Sequence, residues 1–316
     1  MSHALLLQGR EGVGKFDFAA LLAQSLLCEN TAADQLACGN CKSCVWFAQG
    51  NHPDFRLVEP EEGDANTEDE GAAPRTTRKT QIAVDQVREL TEFLGLSSHR
   101  SGLRIVLLHP AEALNQASAN ALLKMLEEPP SGVLFMLVSH QPQRLLATIR
   151  SRCSKVDMPI PPRHDAVAWL DAQGIRNAAA RLAYAGGAPL LATFPEEEAS
   201  KQKTELQVLL CQGARIDPLA AGALCARSGM AAAVDMLQKW TYDLLSLRLA
   251  QQARYHEEPS KSLQDLAKAV DLAKLLDFQR KLDQARRHAQ HPLNAELQLE
   301  GLMFQYMQLF STTSGL

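Results

Sequence analysis

The sequence predicts a chain in two parts, an α/β P-loop-like unit followed by an all-α remainder. Three observations carry this. A short apolar segment, Ala4-Leu5-Leu6-Leu7, runs into a glycine-rich turn ending in Gly14-Lys15, which is the order of strand, phosphate loop and helix. Two further apolar runs, Arg104-Ile105-Val106-Leu107-Leu108 and Val133-Leu134-Phe135-Met136-Leu137-Val138, are set between segments of helical periodicity, as expected of parallel strands buried on both faces. Beyond Pro162 no strand pattern recurs, and the chain becomes rich in Leu, Ala and Gln.

Composition narrows the function classes. The chain has 316 residues, enough for two or three domains, with 46% apolar residues to supply a core. A net charge of -4 argues against a whole-chain electrostatic grip on nucleic acid. No apolar run approaches the roughly 18 residues a membrane span needs, so no membrane role is expected. The N-terminus lacks a basic leader region and enters the glycine loop directly, so no secretory signal is expected either. Seven cysteines, four clustered and three scattered, suit a reducing, cytoplasmic setting better than a disulfide framework.

Taken in order, Gly9, Gly12, Gly14 and Lys15 fall in Gln8-Gly9-Arg10-Glu11-Gly12-Val13-Gly14-Lys15-Phe16, which fits the first seven places of G-x-x-x-x-G-K-[ST]. Such glycines let backbone N–H groups curl around phosphates, and the lysine adds a point charge. The eighth place departs, because Phe16 stands where a hydroxyl should hold Mg²⁺. The alternative is a plain glycine turn before a helix. That helix should span Lys15 to Cys28, with Phe18, Leu22 and Leu26, and Leu21 beside them, as a core stripe.

Cys28 is followed by Cys38-Gly39-Asn40-Cys41-Lys42-Ser43-Cys44. Four thiolates complete a tetrahedral Zn²⁺ and leave no open position, so a zinc here is structural rather than catalytic. Free buried thiols or an iron–sulfur cluster are the alternatives. His52 is a spare candidate ligand, although Asn51-His52-Pro53-Asp54 reads more simply as a turn.

Phe55 to Val58 is a strand. Residues 59–80 then lose periodicity, with seven acids from Glu59 to Glu70, and are expected to form a mobile acidic loop. A helix face follows at Val84, Val87, Leu90 and Leu94. After the strand at 104–108 a working P-loop ATPase needs acids to hold Mg²⁺. His109 and Pro110 stand there instead, and Glu112 is the first acid, so the site carries a second, independent defect. A helix from Asn115 to Glu128, faced by Leu122, Leu123 and Leu126, ends at Pro129-Pro130. A short helix at 145–149 leads to Arg150-Ser151-Arg152-Cys153.

The prolines between Val156 and Arg163 mark the best domain boundary. Beyond it a small helical unit runs from His164 to Phe194, with a hinge turn at Gly186-Gly187-Ala188-Pro189. Helices are then expected at about 197–212, 217–226, 229–254, 260–289 and 292–311. Their basic residues, among them Lys239, Arg248, Arg254, Arg280, Lys281, Arg286 and Arg287, alternate with acids as solvated faces do.

Several stretches together resemble the bacterial DNA polymerase III delta-prime family, the non-hydrolysing AAA+ subunits of the sliding-clamp loader. They are the P-loop remnant, the four-cysteine insertion, Ile82-x-Val84-Asp85-Gln86-Val87-Arg88, the run Ala119-Asn120-Ala121-Leu122-Leu123-Lys124-Met125-Leu126-Glu127-Glu128-Pro129-Pro130, and Thr148-Ile149-x-Ser151-Arg152-Cys153. Pro292-Leu293-Asn294-x-Glu296-Leu297 resembles the start of the family's last collar helix. The resemblance implies a Rossmann-like AAA+ domain over 1–160 with its zinc module at 28–44, a helical lid over 161–195 and a helical collar over 196–316. It implies a five-membered ring with the gamma/tau ATPases and delta, acting on the sliding clamp and primed DNA. It also implies that Arg152 enters the ATP site of an adjacent subunit as an arginine finger, with Arg150 as the fallback if the register is off. Ser139 lies near the family's first sensor position and is assigned no catalysis. Family members carry an N-terminal segment of about a helix's length before the first strand, whereas here the strand starts at Ala4. The retained Gly14-Lys15 leaves nucleotide binding without hydrolysis open. No intrinsic ATPase activity is expected. The alternatives are an active clamp-loader ATPase, against which Phe16, His109 and Pro110 argue, and a zinc-containing DNA-binding protein, against which the net acidity argues.

Overall fold

The structure, a computed structural model, describes residues 3–31, 36–61, 81–95, 102–194, 197–257, 260–288 and 295–310. Most of the expected acidic loop, and the Pro292-Leu293-Asn294 motif, lie outside these residues. The chain divides into two compact units, Met1–Pro161 and Pro162–Leu316.

The first unit holds β1 (Ala4–Gln8), α1 (Lys15–Leu27), α2 (Lys42–Ala48), β2 (Phe55–Val58), α3 (Val84–Gly95), β3 (Arg104–Leu108), α4 (Gln116–Glu127), β4 (Val133–Ser139), α5 (Ala147–Arg152) and β5 (Ser154–Asp157). The five strands form one parallel sheet in the order β2-β3-β4-β1-β5.

Alternate strand residues serve two separate cores. Leu6, Val106, Leu108, Phe135 and Leu137 pack on one face with α3, α4 and Ile149 of α5. Leu7, Ile105, Leu107, Met136 and Val138 pack on the other with α1. Burial on both faces is why these strands read as continuous apolar runs. Each fully buried Leu, Ile or Phe contributes about 1.5–3 kcal/mol relative to exposure.

The stripe on α1 differs from expectation. Its fully buried apolar residues are Ala19, Ala23 and Leu27, with Leu22 and Leu26 half-buried against the same core, whereas Phe18 and Leu21 are each 46% exposed. Small side chains let the helix lie close to the sheet, and size took precedence over hydrophobicity in choosing the inward face. In α4 the Asn115 side chain accepts from the Ser118 N–H and caps the helix start. Arg104 opens β3 yet is buried, and its guanidinium donates to the carbonyls of Phe93 (3.1 Å) and Leu94 (2.6 Å) at the end of α3. It satisfies acceptors that the end of a helix leaves unpaired.

The second unit is helical throughout its described residues: α6 (Arg163–Ala172), α7 (Ala178–Tyr184), α8 (Pro189–Ala192), α9 (Glu197–Leu210), α10 (Pro218–Ser228), α11 (Met230–Ala250), α12 (Lys261–Ala269), α13 (Leu272–His288) and α14 (Ala295–Gln308), with one short 3₁₀ turn. The first three share a small core of Ala166, Leu170, Ala178, Leu182 and Ala192. The others build a larger one around Leu237, Trp240, Leu275, Phe278, Met303 and Tyr306. Inside it the Trp240 indole N–H donates to the Tyr306 hydroxyl (2.9 Å), which donates to the Leu210 carbonyl (2.8 Å), so that α11, α14 and α9 are joined with no polar atom left bare.

Two corrections to the helix pattern arise here. The single helix expected at 260–289 is broken at Val270-Asp271. There the Asp271 carboxylate accepts from the N–H groups of Ala273 and Lys274, and its own N–H donates to the Leu309 carbonyl. The helix expected to reach 254 stops at Ala250, because Gln251 turns left-handed with φ 55°. Residues 254–256 instead fold onto buried Asp243, whose carboxylate accepts from the backbone N–H groups of Arg254, Tyr255 and His256 and meets His256 Nδ1 at 2.8 Å. Burial alone would raise the Asp243 pKa, but the bond to His256 and the three backbone donors hold it below its ordinary value. Among the described residues no helix is long and apolar enough to cross a membrane.

Candidate functional site

The phosphate loop follows β1 at the C-terminal edge of the sheet. Gly14 sits at φ 90° immediately before α1, a conformation an L side chain resists. Gly9 is held by packing as well, since a Cβ there would lie 2.2 Å from the Met158 carbonyl oxygen. Lys15 is 2% exposed, and its Nζ donates to the Arg10 carbonyl within the loop at 2.6 Å. Burial lowers its pKa, and the carboxylates of Glu112 and Glu11 partly offset this.

The two defects seen in the sequence touch each other. The rings of Phe16 and His109 are in contact, tilted at 38° with centroids 4.7 Å apart, and His140 meets His109 edge-on at 5.4 Å. His109 Nδ1 is bonded to Glu59 Oε1 at 2.9 Å. An aromatic pair thus occupies the two sequence positions at which the P-loop pattern expects a hydroxyl and an acid. Glu112, the first acid after β3, is committed elsewhere, since its Oε1 accepts from the backbone N–H groups of His140 (2.9 Å) and Gln141 (3.0 Å). Ser139 ends β4 beside Gln8 of β1 and is wholly buried, and its hydroxyl makes no hydrogen bond among the described residues. His140 is held below its ordinary pKa by burial and then by the positive charge of Lys15.

The four N-terminal cysteines converge. Cys28 caps the end of α1, Cys41 caps the start of α2, and the sulfurs of Cys28, Cys38, Cys41 and Cys44 all lie within 4.8 Å of one another. The Cys28–Cys41 separation of 3.9 Å matches the edge of about 3.8 Å that a tetrahedron of thiolates with 2.3 Å bonds to zinc requires. Backbone N–H groups point at the sulfurs, from Cys38 to Cys28 at 3.3 Å and from Cys44 to Cys41 at 3.4 Å. Charge is unevenly shared among the bare thiols. Burial opposes ionisation of Cys41, but the N–H groups of Cys44 and Glu29 and neighbouring thiols outweigh it and bring its pKa down to about 6. Burial, foremost, pushes Cys44 up to about 12. Four thiolates at this spacing repel one another, and a divalent cation relieves that repulsion, so the donor set fits zinc.

His52 is not a fifth member of this cluster. It is 2% exposed and its Nδ1 accepts from the Asp54 N–H, so Nε2 carries the proton and donates to Ser43 Oγ at 2.7 Å. Ser43 in turn donates to the Leu27 carbonyl at 2.6 Å. The chain of bonds ties α2 to the end of α1, and both ring nitrogens are used.

Arg150 and Arg152 both lie in the last turn of α5, inside the helix rather than beyond it. The Nε of Arg150 is enclosed and has no hydrogen-bond partner among the described residues. Arg152 reaches outward. Its NH2 is 2.6 Å from Glu127 Oε1, and its NH1 donates to the Thr148 carbonyl at 3.1 Å. Its placement follows from strand register. Cys153 leads into β5, whose Ser154 lies beside Leu5, while the phosphate loop begins after Gln8, which lies beside Asp157. Arg152 therefore sits at the N-terminal edge of the sheet and the phosphate loop at the C-terminal edge, with about 10 Å of strand rise between Leu5 and Gln8. The sequence separation of 25 residues hid the Glu127 contact, and only the end of a helix before Pro129-Pro130 marked that place.

Residues 1–161 match the family model described as DNA polymerase III, delta subunit, and residues 196–308 match that of its C-terminal part. A Pseudomonas aeruginosa protein named DNA polymerase III subunit delta' is 36% identical over 85% of this chain and 78% of its own length. The Escherichia coli K12 protein of the same name is 36% identical over 66% of this chain and 59% of its own length. Among solved structures, a DNA polymerase III gamma subunit-related protein of Thermotoga maritima is 19% identical, with 98% of this chain and 95% of that one covered and a TM-score of 0.45.

Proposed function

The chain belongs to the DNA polymerase III delta-prime family, and on that premise we propose that it is the non-hydrolysing subunit of the bacterial clamp loader. In this reading it completes a five-membered ring with the gamma/tau ATPases and delta, and the ring loads the sliding clamp onto primed DNA. The observation that carries the reading is the position of Arg152, half-exposed at the sheet edge opposite the chain's own phosphate loop. A guanidinium so placed serves a phosphate held by another subunit. There it stabilises the charge that develops as the γ-phosphoryl group departs, a contribution worth on the order of 10³–10⁵ in rate in the strongest cases.

The chain's own loop is a structural turn in this reading. Lys15 is engaged by the Arg10 carbonyl, and the Phe16–His109 pair takes the metal position. The four cysteines hold a structural Zn²⁺ that fixes the segment between α1 and β2. The helical remainder comprises a lid over 161–195 and a collar over 196–316 that assembles with the collars of the other subunits.

The test is Arg152→Ala in the reconstituted loader. Assembly, followed by native mass spectrometry, is expected to survive, while ATP turnover at the adjacent site falls about tenfold or more. The purified chain alone should show no Mg²⁺-dependent ATP turnover. Wild-type turnover in an intact Arg152→Ala loader would refute the finger, and turnover by the isolated chain that Lys15→Ala abolishes would refute the inactive site.

A further inference from the structure

Arg152 is not a loose side chain. Its guanidinium meets Glu127 Oε1 through NH2 at 2.6 Å and the Thr148 carbonyl through NH1 at 3.1 Å, with the Ser151 hydroxyl at 3.5 Å from NH1. Glu127 is the last residue of α4 and Arg152 the last of α5, so two helix ends of one compact unit hold the two partners. Ile149 and Cys153, buried against the same core as Leu122 and Leu126, pack α5 onto α4 and leave the ion pair at the rim.

An arginine has five N–H donors in a planar fork. The three contacts above engage NH1 and NH2. Among the described residues Nε makes no hydrogen bond, and the side chain is 35% exposed, so part of the fork remains available. A carboxylate that grips one edge of the fork while the other stays available fixes the direction in which the guanidinium points. We propose that Glu127 is a positioning residue that holds Arg152 oriented for the phosphate of a neighbouring subunit, an inference that rests on the finger reading above. Glu127 touches no phosphate itself. Its contribution is to remove rotamer freedom from a long side chain before the neighbour arrives, so that this ordering is not required in the transition state.

An exposed ion pair adds little to stability. The effect of losing it therefore appears in turnover at the neighbouring site rather than in folding or ring assembly. In the reconstituted loader, Glu127→Gln, which keeps shape and removes charge, is expected to lower the ATP turnover number about three- to tenfold while the KM for ATP and the Tm of the chain stay within error of wild type. Glu127→Asp, with the charge retained on a shorter arm, should recover part of the loss. In an Arg152→Ala background the Glu127→Gln change should have no further effect, because the group it positions is gone.

Unchanged turnover in Glu127→Gln, or an equal loss whether or not Arg152 is present, overturns the positioning role. The two readings fail separately. If Arg152→Ala lowers turnover and Glu127→Gln does not, the finger stands and the positioning role falls. If Arg152→Ala itself has no effect, both fall.

Discussion

At the scale of single residues, the chemistry follows local spacing where it was legible and long-range contact where it was not. The cysteine cluster was readable because three of its members lie within seven residues, and backbone geometry brings their sulfurs together whatever the rest of the chain does. Its support was not readable. The role of His52 depends on Ser43, Leu27 and Asp54 meeting in space, and a lone histidine before a proline carries no sign of that. The same holds for Glu127, whose meaning comes from a partner 25 residues away. Under the proposal that these four cysteines hold a zinc, elemental analysis should find close to one zinc per chain. Cys41→Ser should lose most of that metal and lower the Tm, while Cys211→Ser, outside the cluster, should keep it. Full zinc occupancy in Cys41→Ser would remove Cys41 from the ligand set.

At the scale of elements, helix existence was legible and the inward face was not always so. In α1 the apolar period pointed at Phe18, Leu22 and Leu26; Leu22 and Leu26 do pack against the core, but Phe18 is exposed, and the fully buried residues are Ala19, Ala23 and Leu27. The break between α12 and α13 carries neither glycine nor proline. Its only local mark is Asp271 as an N-cap, which competes poorly with an otherwise continuous helical pattern. Close packing has a measurable consequence where α10 crosses α14. A Cβ at Gly222 would lie 2.6 Å from Glu300 Cγ and 3.0 Å from its Cα and backbone N, whereas one at Gly301 would meet nothing within 4 Å. Gly222→Ala should therefore destabilise the chain by about 1–3 kcal/mol through overpacking. Gly301→Ala should stabilise it by about 0.5–1 kcal/mol through helix propensity. Paired thermal melts read both, and equal shifts of the same sign would show that the α10–α14 contact does not set the packing.

At the scale of the whole molecule, the division into an α/β unit and a helical unit was legible from the disappearance of strand patterns after the prolines near residue 160. Which residues of the α/β unit face one another was not, because parallel strands bring together segments far apart in sequence. Among the described residues, the helical unit's two cores are made of residues from Ala166 onward. A fragment spanning 162–316 should therefore fold by itself, with strong helical circular dichroism and a cooperative melt. A gradual, non-cooperative loss of signal would show that its cores need the first unit. The pair of Phe16 and His109 also bears on what sequence change can reach from this chain. Each ring leans on the other, so replacing Phe16 by a hydroxyl residue leaves His109 beside a void, and replacing His109 by an acid sets a charge against a phenyl ring. Neither step alone creates a metal site, and each alone costs packing. The two changes could create a metal site only together, so the packing of the Phe16–His109 pair makes each single step costly.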